Sequence, residues 1–281
     1  MTHDPEPGLY IVATPIGNLG DVSPRARKVL EHADLIACED TRVTGGLLHH
    51  LGFKRPMMRY DDHARPADRA RLIDAARAGC VALVSDAGTP LISDPGYKLV
   101  REAREAGVAI HSVPGPSALI VALTLAGLPT DRFYFHGFLP NKPGARTREI
   151  AGLAVMPVTL VFYESAKRIA ACLAALHEGL GEREAAVVRE ISKRFEETRT
   201  GTLAELAAVY ADAPPKGEIV LVVGPPGPGS AVAPEESIEA ALAEALLTMP
   251  PGKAAGEVAK QFGLDRKALY ARILADRSAG D

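Results

Sequence analysis

Residues 81–96 read VALVSDAGTPLISDPG. A short apolar run, Val81 to Val84, breaks into Ser85, Asp86, Gly88, Pro90, Asp94 and Gly96, a pattern that predicts a buried strand ending in a long loop. In an open α/β sheet, small molecules settle just past the carboxyl ends of the strands. Two carboxylates and two glycines at such a place suggest a ligand site. A turn-rich connection whose aspartates cap backbone amides is the competing reading.

On either side of this stretch the same alternation continues. Strands are predicted at 9–13, 35–38 and 110–113, and helical spacing at 24–31, 66–78 and 97–106, with Pro66 placed to open its helix. The fold class is therefore α/β, a mostly parallel sheet covered on both faces. The strand at 133–138 is expected to complete this first domain, 8–139. A second α/β domain, 147–224, is expected from strands at 158–163, 185–191, 196–201 and 219–223 and helices at 166–178 and 203–210. Residues 140–147, PNKPGART, read as a hinge. Residues 224–233, GPPGPGSAVA, read as a linker. A helical tail, 235–281, follows, with helices at 238–247, 254–262 and 266–274. Ala259, Gly263 and Leu269 have helix-turn-helix offsets and Asp265 is placed to cap the last helix.

At 281 residues the chain can bury a sizeable core, and 47% hydrophobic with 24% charged residues is ordinary for a globular protein. No run approaches the roughly 20 apolar residues that cross a bilayer, and MTHDPEPG lacks the apolar centre of a secretory signal. Cys38, Cys80 and Cys172 are widely spaced without a CxxC, which reads as buried thiols in the cytoplasm, not as a disulfide set or zinc site. No metal is expected; the acids and histidines of YDDHAR (60–65) have no diagnostic ligand spacing. The net charge is −3, so any nucleic-acid contact must rest on local patches. Aromatic residues are only 5% and tryptophan is absent, which argues against a base-stacking sheet. There is no GxxxxGK[ST] phosphate loop.

Four loops follow successive predicted strands: TPIGNLGD (14–21), EDTR (39–42), the stretch at 85–96, and PGPS (114–117), which runs into a helix. If the strands are parallel, all four crowd one sheet edge. Together with ATPIGNLGD, GFLPNK, FYES, REISKRFEE and KGEIVLVV, in that order from Gly8 to Pro225, they resemble the bacterial 16S ribosomal RNA cytidine 2′-O-methyltransferases of the tetrapyrrole methylase superfamily. YDDHAR departs from the two-histidine run usual in those relatives.

The resemblance implies S-adenosylmethionine as methyl donor, a cleft between two α/β domains, a homodimer, and 16S rRNA or the small ribosomal subunit as partner. It assigns the donor to Pro15, Asp86, Gly88, Ile92, Ser117, Ala118, Tyr163, Glu218 and Ile219. Phe162 neighbours Tyr163, and strand alternation lets only one of the two face a ligand; Tyr163 is the expectation. A ribose hydroxyl needs a base to remove its proton. Glu39, Asp40, Asp94 and Glu190 are the candidates, with Arg42 and Lys193 to hold phosphates or orient the base. Lys142, Arg146, Arg148, Arg168, Arg266 and Lys267 are the candidate RNA-backbone contacts. Two other readings stand beside this one: a tetrapyrrole C-methyltransferase, whose relatives usually open with a GxGxGD-like loop, and a non-enzymatic nucleic-acid-binding protein that uses the helical tail.

Overall fold

The computed structural model describes residues 4–61, 63–227, 235–262, 264 and 266–278. Asp62, the linker residues 228–233, Gly263 and Asp265, all singled out above, lie outside the described residues.

Strands and helices alternate through the first half: β1 (Gly8–Val12), α1 (Pro24–His32), β2 (Leu35–Cys38), α2 (Thr41–Leu51), β3 (Met57–Arg59), α3 (Pro66–Ala78), β4 (Cys80–Val84), α4 (Tyr97–Glu105), β5 (Ile110–Val113) and α5 (Ala118–Leu125). Local chemistry sets the helix ends. Ser23 accepts a hydrogen bond from the Ala26 N–H ahead of Pro24, Asp40 caps α2, and α2 stops at Gly52 in the left-handed region (φ 87°). The five strands form one sheet in the order β3-β2-β4-β1-β5, every pairing parallel.

Period-two burial splits the core between the two faces of this sheet. Val12, Ile36, Ala82 and Val84 pack with Val29 and Leu30 of α1 and Leu48 and Leu51 of α2. Leu9, Ala37, Val81 and Leu83 pack with Leu72 and Ile73 of α3 and Leu99 and Ala103 of α4.

The second half comprises β6 (Phe133–Phe138), α6 (Pro143–Leu153), β7 (Thr159–Ser165), α7 (Ile169–Leu180), β8 (Glu184–Arg189), β9 (Glu197–Thr202), α8 (Leu203–Asp212) and β10 (Glu218–Val223). They build a second sheet, β6-β7-β10-β8-β9, antiparallel except for β6 against β7. Leu160, Phe162, Val187 and Leu221 bury one face against residues of α6, α7 and α8. Two expectations change here. Residues 133–138 pair with β7, so they belong to the second sheet and not to a first domain ending at 139. The predicted hinge contains a helix start, because Pro143 opens α6.

Two compact units result: Met1–Val121 with Ile191–Phe195, and Ala122–Glu190 with Glu196–Asp281. Within the second, α9 (Glu235–Thr248), α10 (Pro251–Phe262) and α11 (Arg266–Ser278) share their own core, including Ile238, Leu242, Val258, Ala259, Leu269 and Ile273. No helix among the described residues is long and apolar enough to cross a membrane.

All three thiols are buried and free. Burial raises Cys38, pushes Cys80 up to about 11 with Asp34 adding to it, and pushes Cys172 up to about 12 with Glu164 adding to it. The reactive thiolate is therefore suppressed at each. The native protein is expected to take up no iodoacetamide at mildly alkaline pH and to label at all three cysteines once unfolded in guanidinium, as read by intact mass.

Candidate functional site

In the first sheet β1 and β4 lie side by side at the centre. The connection from β1 runs through α1 on one face, and that from β4 runs through α4 on the other. Neighbouring strands whose connections leave to opposite faces open a crevice at their carboxyl ends. All four predicted loops reach that edge because every strand is parallel.

Hydrogen bonds tie these loops into one rim. Thr14 and Gly88 form an antiparallel bridge, with Thr14 N–H donating to the Gly88 carbonyl at 2.9 Å and Gly88 N–H returning to Thr14 at 3.1 Å. The Thr14 hydroxyl donates to the Ser85 carbonyl at 3.3 Å, and the Thr89 hydroxyl donates to the Pro116 carbonyl at 3.0 Å. The Asp40 N–H donates to Asp86 Oδ1 at 3.1 Å, which joins the loops after β2 and β4. Glycine is required at 88: φ is +82°, and a Cβ would meet Ile16 Cγ2 at 3.3 Å and the Pro116 carbonyl at 3.7 Å. Gly115 lets the fourth loop close on β1, since a Cβ there would stand 3.0 Å from the Ala13 Cβ.

Around this rim Asp86 and Ile92 are exposed, while Glu39, Asp94, Pro15, Ser117 and Ala118 are half-buried. Ser117 sits at the start of α5, where its carbonyl takes the Val121 N–H at 3.0 Å. Leu91 (φ 73°) and Ser93 (φ 63°) hold left-handed backbone that non-glycine residues rarely adopt, and such strain gathers at functional segments. An exposed carboxylate, a left-handed glycine closely backed by Ile16 and a helix start on one rim match the needs of a nucleoside with a charged tail.

The acids of the second loop separate on geometry. Asp40 Oδ1 accepts the Arg42 N–H at 2.8 Å, and its Oδ2 lies 2.6 Å from the Arg42 guanidinium. That arginine holds the Asp40 carboxyl down at about 2, too weak a base to take a hydroxyl proton readily. Asp40 and Arg42 thus form a helix cap and its partner. Lys193 lies in the stretch Ile191–Phe195 of this same unit, with its stem against Gly17.

In the second unit, Glu190 Oε1 accepts the Glu218 N–H at 3.2 Å, and the Glu190 N–H donates to the Glu218 carbonyl at 3.1 Å. The Glu190 carboxylate also lies against Gly217 (φ +92°), whose missing side chain makes room for it. Phe162 is fully buried, whereas Tyr163 is half-buried and meets Phe135 and Phe138 edge-on, with centroids 4.9 and 5.7 Å away. The Ile219 side chain is in the core, so only its main chain is left to meet a ligand.

The basic residues also sort themselves. Lys142 is exposed just ahead of α6, Arg148 is exposed midway along it, and Lys267 is exposed on α11. Arg146 turns half inward, and its Nε has no hydrogen-bond partner among the described residues. Arg266 is exposed but gives an N–H to the Gly252 carbonyl at 3.1 Å. Arg168 departs from its expected role. It pairs with buried Glu164 at 3.3 Å, donates to the Leu139 carbonyl at 2.7 Å and bonds Asn141, so its guanidinium is committed inside the unit. The sequence reading passes over Thr14 and Thr89, which lock the rim; their only signal is adjacency to Pro15 and Gly88.

Residues 8–207 match the family described as Tetrapyrrole (Corrin/Porphyrin) Methylases, and residues 231–277 match the RsmI C-terminal HTH domain. A protein of Mesorhizobium japonicum named Ribosomal RNA small subunit methyltransferase I is 50% identical over 96% of this chain and 92% of its own length. Its namesake from Erythrobacter litoralis is 54% identical over 95% of both chains. Among solved structures, uroporphyrin-III C-methyltransferase of Thermus thermophilus complexed with S-adenosylhomocysteine aligns with a TM-score of 0.53 at 22% identity, covering 77% of this chain and 97% of that one. Diphthine synthase aligns at 0.58 and 16% identity, covering 77% and 89%. At such identities these two structures speak for the fold alone.

Proposed function

We infer, for a chain that belongs to the tetrapyrrole (corrin/porphyrin) methylases, a methyl transfer from S-adenosylmethionine to the ribose 2′-oxygen of a cytidine in 16S ribosomal RNA. The linked rim at the carboxyl ends of β1 and β4, closed on Gly88, is the observation that carries this reading. The donor supplies an already activated methyl group on a sulfonium. What remains for the protein is alignment and removal of one proton.

Pro15, Asp86, Gly88 and Ile92 are assigned to the donor, with Ser117 and Ala118 at the start of α5. From the second unit, Tyr163, Glu218 and the main chain of Ile219 are assigned to it as well. For the base, Glu39, Asp94 and Glu190 are the candidates; Asp40, its carboxyl held well down by Arg42, is the weakest base of the four. Lys142, Arg148 and Lys267 are assigned to RNA phosphates, with Arg146, Arg266 and Lys193 in support. The protein is further proposed to act as a cytoplasmic homodimer, which sedimentation at several concentrations would test.

The deciding experiment offers labelled donor together with unmodified small subunits, free rRNA or a tetrapyrrole precursor. Label is expected on a cytidine ribose of the RNA, and label in the tetrapyrrole alone would overturn the assignment. The helical tail has its own core, so a chain ending at Ala233 is expected to keep the remaining fold. Losing the tail's phosphate contacts should reduce RNA methylation about 10-fold or more at moderate salt. Donor affinity, by calorimetry, should stay within about two-fold of the full chain, because the tail packs on its own core and holds none of the residues assigned to the donor. Equal losses in both would show the tail to be a structural prop.

A further inference from the structure

Among the described residues, four non-glycine residues have positive φ, and they fall in two stretches. One is the donor-side loop at Leu91 and Ser93. The other is Glu190 (φ 50°) and Ser192 (φ 63°), between β8 and β9. Left-handed backbone at such residues persists only where the surroundings hold it, and the holding groups are visible. The Ser192 hydroxyl donates to Asp21 Oδ2 at 2.5 Å. A Cβ on Gly17 would strike the Lys193 stem and come within 3.1 Å of the Ile191 carbonyl. Ile191–Phe195 is thereby fastened, within the first unit, to TPIGNLGD, the loop that leaves β1.

The anchored stretch ends in Phe195, which is 64% exposed, with the Arg194 guanidinium carbon 5.6 Å from its ring centroid. A single exposed phenylalanine is unremarkable on a surface. One held at the end of a strained, bonded segment and backed by a cation is a prepared π-face. We propose that Phe195, with Arg194 behind it, is a stacking platform for one unpaired nucleobase of the RNA flanking the acceptor nucleotide. Stacking on a lone ring is sequence-tolerant and suits splayed single-stranded RNA. Lys193 and Arg194 place positive charge beside the ring for the adjoining phosphates. The scarcity of aromatic residues weighs against a sheet-wide platform, but it leaves room for a one-base site. Asp21 and Ser192 then act as positioning residues. This assignment rests on the reading of the protein as an RNA methyltransferase.

The chain contains no tryptophan, so Phe195→Trp installs a single fluorophore at the proposed platform. A short single-stranded RNA is expected to quench its emission, and an abasic strand with the same number of phosphates is expected not to. Phe195→Ala should lose about 10-fold or more in affinity for that RNA, Phe195→Trp should retain it, and both should bind donor as the wild type does. Equal emission with the two strands, or unchanged RNA affinity in Phe195→Ala, overturns the platform. If quenching depends on bases but wild-type protein places no methyl group on rRNA, the platform stands and the proposed reaction falls. The reverse pattern does the opposite.

Discussion

Arg168→Ala is expected to destabilise the second unit by about 3–5 kcal/mol, the usual cost of leaving a buried charge without its partner. For a folding unit of this size that is a fall of roughly 6–20 °C in melting temperature. The Glu164 side chain is only 1% exposed, and Arg168 is its ion partner. Glu164 Oε1 also accepts the Ser165 N–H at 2.8 Å, while the buried Oε2 has no hydrogen-bond partner among the described residues and faces the arginine. The same arginine binds the Leu139 carbonyl and Asn141, fixing the segment between β6 and α6. Adding Glu164→Gln removes the orphaned charge and should restore part of the loss, which separates charge burial from lost packing. Thermal melting by circular dichroism of the single and double variants measures both. An Arg168→Ala protein that melts with the wild type and fails only in RNA binding would return Arg168 to the RNA surface.

For Asp86→Ala the expected loss is in ligand affinity, with little change in stability. A hydrogen bond to a charged group contributes about 1.5–3 kcal/mol, so S-adenosylmethionine or S-adenosylhomocysteine should bind about 10–100-fold more weakly. Asp86 is exposed and accepts the Asp40 N–H, itself near the surface. The melting temperature should therefore stay close to that of the wild type. Asp86→Asn keeps an oxygen for the Asp40 N–H and removes only the charge, so it should fall between the two. Calorimetric titration gives the affinities. Wild-type affinity in Asp86→Ala would move the donor away from this rim.

Where order along the chain decides the structure, the sequence was readable. Short apolar runs and helical spacing, with Pro66 opening α3, located β1, β2, β4, β5, α1, α3 and α4 to within a residue or two, and the parallel sheet followed from their alternation. β3 escaped notice because three residues at a sheet edge carry almost no pattern. α2 was not read as a helix, since TRVTGGLLHHL combines β-branched residues with paired glycines that disfavour helix, and EDTR was read for its chemistry and not as a cap. β6 read correctly as a strand and was given to the wrong domain, because alternation cannot say which strand lies alongside. The same limit applies to single charges. Arg168 looks like any surface arginine until Glu164, four residues earlier, is seen to be buried beneath it. That Asp86 and Gly88 lie on the rim at the strand ends was legible because they follow a buried strand of a parallel sheet.

The order β3-β2-β4-β1-β5 also bears on how the chain is made. β1 emerges first from the ribosome but pairs only with β4 and β5, and β4 follows it by about 70 residues. At about 5–20 residues per second, the apolar strand GLYIV waits several seconds for a neighbour. β2 waits too on one side, since it also borders β4. Arrival of residues 80–88 therefore joins β1 to the β2–β3 pair and brings Gly88 up to Thr14, leaving β5 to be added to the sheet. The segment that joins the two parts of the nascent sheet also shapes its binding rim, so a ribosome stalled before it holds a chain whose β1 has no neighbour and whose rim has not formed.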